Sequence, residues 1–254
     1  MPTQNIAILL SYMGGAYHGW QAQANAHTVQ AEVEAALEML TQEKITLYGC
    51  GRTDAGVHAR NFVANFRSGT KIPMHRLPLA LNSRLPRDIA CSDAKIVPDD
   101  FHARYSCKKK RYVYRILTGP IRDPFLEAIS YHYPYALDAA LMDRCAKHYE
   151  GTRDFRAFLA TGSPVKSTVR TVFEASVVES NGLVEFCVTG DGFLYNMVRI
   201  MAGTLVYVSR GKIDPDDIPA ILESGRRVDA GVTLPPQGLT LDRVWYDDVD
   251  FAYK

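Results

Sequence analysis

Ile45-Thr46-Leu47-Tyr48-Gly49-Cys50-Gly51-Arg52-Thr53-Asp54-Ala55-Gly56-Val57-His58 runs from a strand-like segment into a glycine-rich turn that carries one carboxylate. Residues 45–48 are β-branched and aromatic, with apolar positions at spacing two, which predicts a strand. Gly49, Gly51 and Gly56 favour a sharply turning backbone directly after it. Asp54 is therefore set at a strand end, held by the scaffold yet exposed. Taken alone, an Asp among glycines reads first as a turn-former whose side chain bonds its own backbone. A catalytic carboxylate is the sharper reading, and other segments have to support it.

Working outward, Ile6-Ala7-Ile8-Leu9-Leu10 predicts a buried strand. Met13-Gly14-Gly15-Ala16-Tyr17-His18-Gly19-Trp20 then leads towards a helix capped by Thr28, with Val29, Val33, Leu37 and Leu40 on one stripe. Those glycines match neither G-x-G-x-x-G nor G-x-x-x-x-G-K-[ST], so nothing here points to a nucleotide cofactor. Further along, Asp138 predicts the cap of a helix carrying Leu141, Met142, Cys145 and Tyr149, with Gly151 at its end. Asn181-Gly182, between residues 172–178 and 183–188, is a strong hairpin signal. Asp214-Pro215 opens a helix that Gly225 stops. Strands alternate with helices over short connections, giving a mixed α/β (α+β) class. No repeat or linker marks a hinge, and the pattern places a boundary between two halves, residues 1–105 and 106–254.

The chain has 254 residues, 47% hydrophobic and 22% charged, enough for one large or two smaller cores. Its five cysteines are widely spaced and form no C-x-x-C pair, which argues against a disulfide framework or a zinc site and for reduced thiols in a cytoplasmic protein. The N-terminal Met1-Pro2-Thr3-Gln4-Asn5 lacks the basic start of a signal peptide. Residues 193–208 form the most apolar later window, but Asn196 and Arg199 interrupt it, so a core helix is expected there rather than a membrane span.

With a formal net charge of only +1, attraction to a polyanion has to come from local clustering. Lys108-Lys109-Lys110-Arg111 runs straight into Tyr112-Val113-Tyr114-Arg115-Ile116-Leu117, a predicted strand. Alternation puts Lys108, Lys110, Tyr112 and Tyr114 on one face, where cations would neutralise phosphate and rings would stack on unpaired bases. A solvated basic edge strand is the competing reading. Arg199 lies in an apolar helical stripe of Leu194, Met197, Val198, Met201 and Leu205. A guanidinium there has to snorkel to water or meet a partner, because burying it unpaired costs several kcal/mol. Were Asp54 that partner, the pair would hold the carboxylate ionised and oriented.

Seven ordered segments resemble the bacterial tRNA pseudouridine synthase A family over nearly the whole chain. They are Tyr17-His18-Gly19-Trp20-Gln21, the stretch from Gly51 to His58, Ala80-Leu81-Asn82-Ser83-Arg84-Leu85-Pro86, Asp99-Asp100-Phe101-His102-Ala103-Arg104-Tyr105-Ser106, Lys110-Arg111-Tyr112-Val113-Tyr114, residues 193–203, and Gly238-Leu239. Cys107 and Thr240 depart from the family pattern. The resemblance implies an isomerase that makes pseudouridine at positions 38, 39 and 40 of the tRNA anticodon arm, without cofactor or metal. It implies Asp54 as the catalytic aspartate, Tyr112 as the ring stacked on the flipped uracil, and Arg199 as the basic partner of the carboxylate. Arg52 then helps open the RNA helix, and Lys108, Lys110 and Arg111 contact the substrate. The implied fold is two similar halves, each with a mainly antiparallel sheet and helices, facing a basic cleft in a homodimer that shares one tRNA.

Other chemistries fit less well. A silent tRNA-binding protein or chaperone would keep the basic aromatic strand but need neither Asp54 nor Arg199. A glycoside hydrolase wants two carboxylates flanking the bond, and one acidic residue stands out here. A zinc deaminase requires P-C-x-x-C, which does not occur. His58 and His102 read as structural.

Overall fold

The computed structural model describes residues 3–162, 165–247, 249–251 and 253. Met1 and Pro2, quoted above for the N-terminal segment, lie outside them. The chain forms a mixed α/β structure of mostly antiparallel strands and helices, divided into two compact units. Unit 1 comprises Met1–Lys108 and Leu241–Lys254, and unit 2 comprises Lys109–Thr240.

In unit 1 the strands are β1 (Gln4–Tyr12), β2 (Tyr48–Gly49), β3 (His58–Ser68), β4 (Ile89–Ile96) and most of β10 (Leu239–Trp245). Their order is β4-β1-β3-β10, with β2 paired to β3. Strand β1 is flanked by antiparallel partners, Ile8 opposite Ala64 on one side and Ala94 on the other. Residues 6–10 are all fully buried, which explains why this strand is a continuous apolar run instead of an alternation. Helix α1 (Val29–Thr41) begins as predicted, the Thr28 hydroxyl accepting from the Ala31 N–H, and buries Val29, Val33 and Leu37. A short helix, α2 (Leu77–Asn82), completes the unit.

The strand predicted at residues 45–48 is mostly not one. Only Tyr48 and Gly49 pair, opposite Asn65 and Ala64. Ile45 and Leu47 are buried as the alternation requires, but helix α1 takes their backbone groups. The Glu38 carboxylate accepts from the Ile45 N–H at 3.2 Å and Glu34 from the Leu47 N–H at 2.9 Å, while Gln30 donates to the Leu47 carbonyl at 3.1 Å. Side chains thus stand where a neighbouring strand would.

Unit 2 carries β5 (Lys109–Thr118), β6 (Tyr131–Tyr133), β7 (Gly151–Asp154), β8 (Val169–Ser180) and β9 (Leu183–Gly190), ordered β5-β9-β8-β7 with β6 parallel to β5. The Asn181-Gly182 hairpin forms as predicted, both residues at positive φ (52° and 76°) as a two-residue turn between twisted strands requires. Helix α3 (Ala139–Ala146) is capped by Asp138, which accepts from the Leu141 N–H at 2.8 Å. Helix α5 (Ile218–Ser224) follows a 3-10 turn capped by Asp214 and ends at Gly225, φ 63°. Helix α4 (Met197–Ser209) is the buried one, yet it starts later than its apolar pattern suggests. Asn196 adopts the left-handed conformation at φ 60°, so Phe193 and Leu194 lie outside the helix and Tyr195 and Asn196 form a turn closed by the Met197 N–H donating to the Leu194 carbonyl at 3.0 Å. Among the described residues no helix is long and apolar enough to cross a membrane.

Candidate active site

Asp54 sits half-buried at the start of a tight turn in unit 1, closed by the Val57 N–H donating to the Asp54 carbonyl at 3.1 Å. Gly56, the third residue of that turn, has φ 79°, where a side chain would be strained. The turn is strapped to the loop that follows β1. Trp20 N–H donates to the Thr53 carbonyl at 3.1 Å, Gly56 N–H to the Tyr17 carbonyl at 3.2 Å, and Gly14 N–H to His58 Nδ1 at 2.9 Å. The Tyr12 and Thr53 hydroxyls share a buried hydrogen bond of 2.8 Å.

Two glycines make this approach possible. A Cβ on Gly19, at φ 89°, would lie 2.5 Å from the Thr53 carbonyl oxygen, and one on Gly14 would lie 2.0 Å from that of Val57. Beneath the turn, Tyr12, Trp20 and Phe62 form a buried aromatic floor, the Trp20 and Phe62 rings 4.0 Å apart. Asp54 is therefore presented by a cradle with few ways to relax, which suits a group whose orientation decides a reaction. Arg52, exposed beside it, donates from Nε to Gln21 Oε1 at 3.2 Å. Lys108, also in unit 1, pairs with Asp247 at 3.0 Å on an exposed surface.

Tyr112, Lys110, Arg111 and Arg199 belong to unit 2. Strand β5 is paired on one side by β9, Tyr112 opposite Val188, and by β6 at its far end, so it is no edge strand. The expected open face of lysines and tyrosines is only partly realised. Tyr114 is fully buried and donates to the Pro235 carbonyl at 2.7 Å, which makes it core rather than a stacking surface. Burial pushes its hydroxyl pKa far up, against the opposing pull of the nearby Arg199 charge. Tyr112 is only 9% exposed and meets Phe193 edge-on, ring centroids 5.2 Å apart. Lys109 extends over the Phe173 ring at 5.0 Å.

Arg199, half-buried on α4, donates from Nε to the Leu234 carbonyl at 2.7 Å and from Nη1 to Asn196 Oδ1 at 2.5 Å. The left-handed turn at Asn196 thus brings its amide back over the guanidinium. The loop at residues 231–235 runs along α4 at backbone contact distance. Gly231 N–H donates to Thr204 Oγ1 at 2.8 Å, and a Cβ on Gly203 would fall 1.9 Å from the Val232 carbonyl oxygen. Tyr114 and Arg199 therefore grip neighbouring carbonyls of one loop. Sequence reasoning missed that loop and the clasp at Gly14 and Gly19; it read His58 as a structural turn residue without its partner Gly14. Their signals were isolated glycines whose partners lie far along the chain.

A model of the family described as tRNA pseudouridine synthase matches residues 8–106 and 145–247. The matched segments include Asp54, its cradle and helix α4. The tRNA pseudouridine synthase A of Moorella thermoacetica is 50% identical over 243 residues, covering 95% of this chain and 99% of the relative. That of Thermoanaerobacter sp. is 47% identical over 243 residues, covering 96% of this chain and all of the relative. The chain belongs to the tRNA pseudouridine synthase family, a family of isomerases. Among solved structures, a Cbf5-Nop10-Gar1 complex aligns with 96% of this chain and 50% of that chain, at 16% identity and TM-score 0.42, too distant to inform the site.

Proposed function

We propose that this chain isomerises uridine to pseudouridine in the anticodon arm of tRNA, at positions 38, 39 and 40, with Asp54 as the catalytic carboxylate. The observation that carries the reading is the cradle: a single aspartate held on a strapped turn, in a chain alike along nearly its full length to tRNA pseudouridine synthases. The reaction breaks the N1–C1′ glycosidic bond, turns the uracil and joins C5 to C1′, the C5 proton leaving and N1 gaining one. Atoms balance within the nucleotide, so no cofactor is drawn upon. The base has to be unstacked first, at a cost of a few kcal/mol that stacking and phosphate contacts offset.

In this reading residues 1–105 supply Asp54 and Arg52, and residues 106–254 supply Tyr112 and Arg199. Tyr112 stacks on the flipped uracil, Arg199 supports the carboxylate, Arg52 helps open the stem, and Lys108, Lys110 and Arg111 meet phosphates. The chain works in the cytoplasm as a homodimer on one tRNA. Tritium release from tRNA transcripts labelled at uridine C5 tests the chemistry. Wild-type protein releases tritium, while Asp54→Asn loses at least about 10³-fold in rate and keeps its tRNA affinity, as removal of a group that acts only in the transition state requires. Near-normal turnover by the variant would overturn the assignment of Asp54.

A further inference from the structure

Away from the Asp54 turn, unit 1 displays a short row of rings that the proposed chemistry does not use. Tyr48 of β2 faces His102, ring centroids 5.1 Å apart, and His102 faces Tyr105 at 4.4 Å. The Arg104 guanidinium lies over the Tyr105 ring at 5.7 Å. Tyr105 is 76% exposed and Tyr48 47%, so the row contributes little to a core and presents aromatic surface to solvent.

The loop that carries His102 and Tyr105 is held from below by buried polar groups. Asn5 donates to the carbonyls of Pro98 at 2.8 Å and Phe101 at 2.9 Å. Asn65 donates to Asn5 Oδ1 at 2.9 Å and accepts from the Ala103 N–H at 2.8 Å, and the Tyr246 hydroxyl donates to the Ala103 carbonyl at 2.7 Å. Two buried asparagines are thus committed to fixing a surface loop, an arrangement that favours a prearranged contact over a mobile one. Asn65 is also the residue opposite Tyr48 in the β2–β3 ladder, so one residue of β3 registers both Tyr48 and the loop that carries His102.

The electrostatics suit a nucleic acid. His102 Nδ1 accepts from the Arg104 N–H at 3.1 Å, which leaves that nitrogen unprotonated, and partial burial lowers the pKa of the ring. A neutral imidazole beside two phenols offers π surface with Arg104 as its adjoining cation. Two acids precede the loop: Asp99 pairs with Arg67 at 3.3 Å, and Asp100 is exposed beside it, so Arg104 supplies the cation next to the rings. Exposed rings interleaved with arginine are what stacks unpaired bases while meeting their phosphates.

We propose that Tyr48, His102 and Tyr105, with Arg104, form a second RNA-contacting surface, on which unpaired bases of the substrate RNA stack outside the reaction centre. The proposal rests on the reading of this chain as a tRNA-modifying enzyme. Tyr48→Ala, Tyr105→Ala and Tyr105→Phe test it by filter binding of a full tRNA transcript, alongside turnover at saturating RNA and thermal melting. Each alanine weakens binding about fivefold or more, Tyr105→Phe stays within about twofold of wild type, and saturated turnover holds in all three. Arg104→Ala shallows the dependence of affinity on salt, whereas the tyrosine variants leave that slope unchanged. Unchanged affinity in both alanine variants overturns the proposal. So does a loss accompanied by a changed oligomeric state in sedimentation, which would assign the rings to a second copy of the chain. Absence of pseudouridine formation by the wild-type protein would instead overturn the functional reading on which the proposal stands.

Discussion

A histidine that accepts a backbone hydrogen bond at Nδ1 serves as a strut only while it offers that lone pair. His58 is such a strut, joining the end of the Asp54 turn to Gly14 across 44 positions of sequence. His58→Ala leaves the buried Gly14 N–H unpaired, at a cost of about 1–3 kcal/mol. Its expected signature is a fall in kcat with tRNA affinity retained, and His58→Asn, whose amide oxygen also accepts, restores most of the rate. Equal losses in both variants would mean that the ring's volume matters and the hydrogen bond does not. The reading of His58 as structural needed only its residue type and place beside a turn. Gly14 and Tyr12 could not be matched to their partners that way, because spacing along a chain carries no information about which loop will cross another.

At the level of elements, the legible features were those specified within a few residues. The Thr28 and Asp138 caps, the Asn181-Gly182 turn and the Gly225 stop all follow local rules and all form. Residues 45–48 failed because Glu34, Glu38 and Gln30 of α1 compete for the backbone, an interaction between elements. Helix α4 failed at one end because a left-handed Asn196 interrupts an otherwise helical apolar pattern. The tight packing of α4 on the 231–235 loop yields a prediction. Gly203→Ala forces the Val232 carbonyl away and costs about 1–3 kcal/mol, as overpacking does. Melting temperature should fall by roughly 2–12 °C, and turnover should fall too, since the loop holds the carbonyl that Arg199 grips. A variant of wild-type stability and rate would show the contact to be adjustable. A second prediction concerns Asp154, which accepts from Thr168 Oγ1 at 2.6 Å, from the Arg156 N–H at 3.0 Å and from Arg156 Nη2 at 2.8 Å. The Thr168 hydrogen bond, helped by Arg156, holds its pKa below the ordinary carboxylate value. A depressed folded pKa contributes stability that is present above the unfolded pKa of about 3.9 and is lost as pH falls through the lower folded value. Asp154→Asn should therefore melt below wild type at pH 7, and the gap should close in acid. A gap independent of pH would remove the charge from the explanation.

Across the whole molecule the net charge of +1 sets the terms of RNA binding. Affinity has to come from a few placed cations, each releasing counterions from one phosphate. Replacing Lys110 with alanine should weaken binding to all tRNA sequences alike and reduce the slope of log affinity against log salt by about one. An unchanged slope would take Lys110 off the phosphate backbone. Composition indicated a chain large enough for two units, and the family resemblance pointed to the chemistry. The long-range return of residues 241–254 was beyond either, because it rests on contacts such as Asn61 with Asp242 and Tyr246 with Ala103, over 100 positions apart.

That return also orders the birth of the protein. Translation delivers residues 1–108 first, then every residue of unit 2, and only afterwards the segment that completes unit 1. The Asp54 cradle is thus made early but belongs to a unit whose strand β10 is synthesised only after almost all of the inserted unit. Until β10 is made, β3 has β1 and the short β2 but not the β10 neighbour it has in the finished sheet, which leaves part of one strand edge open to pairing.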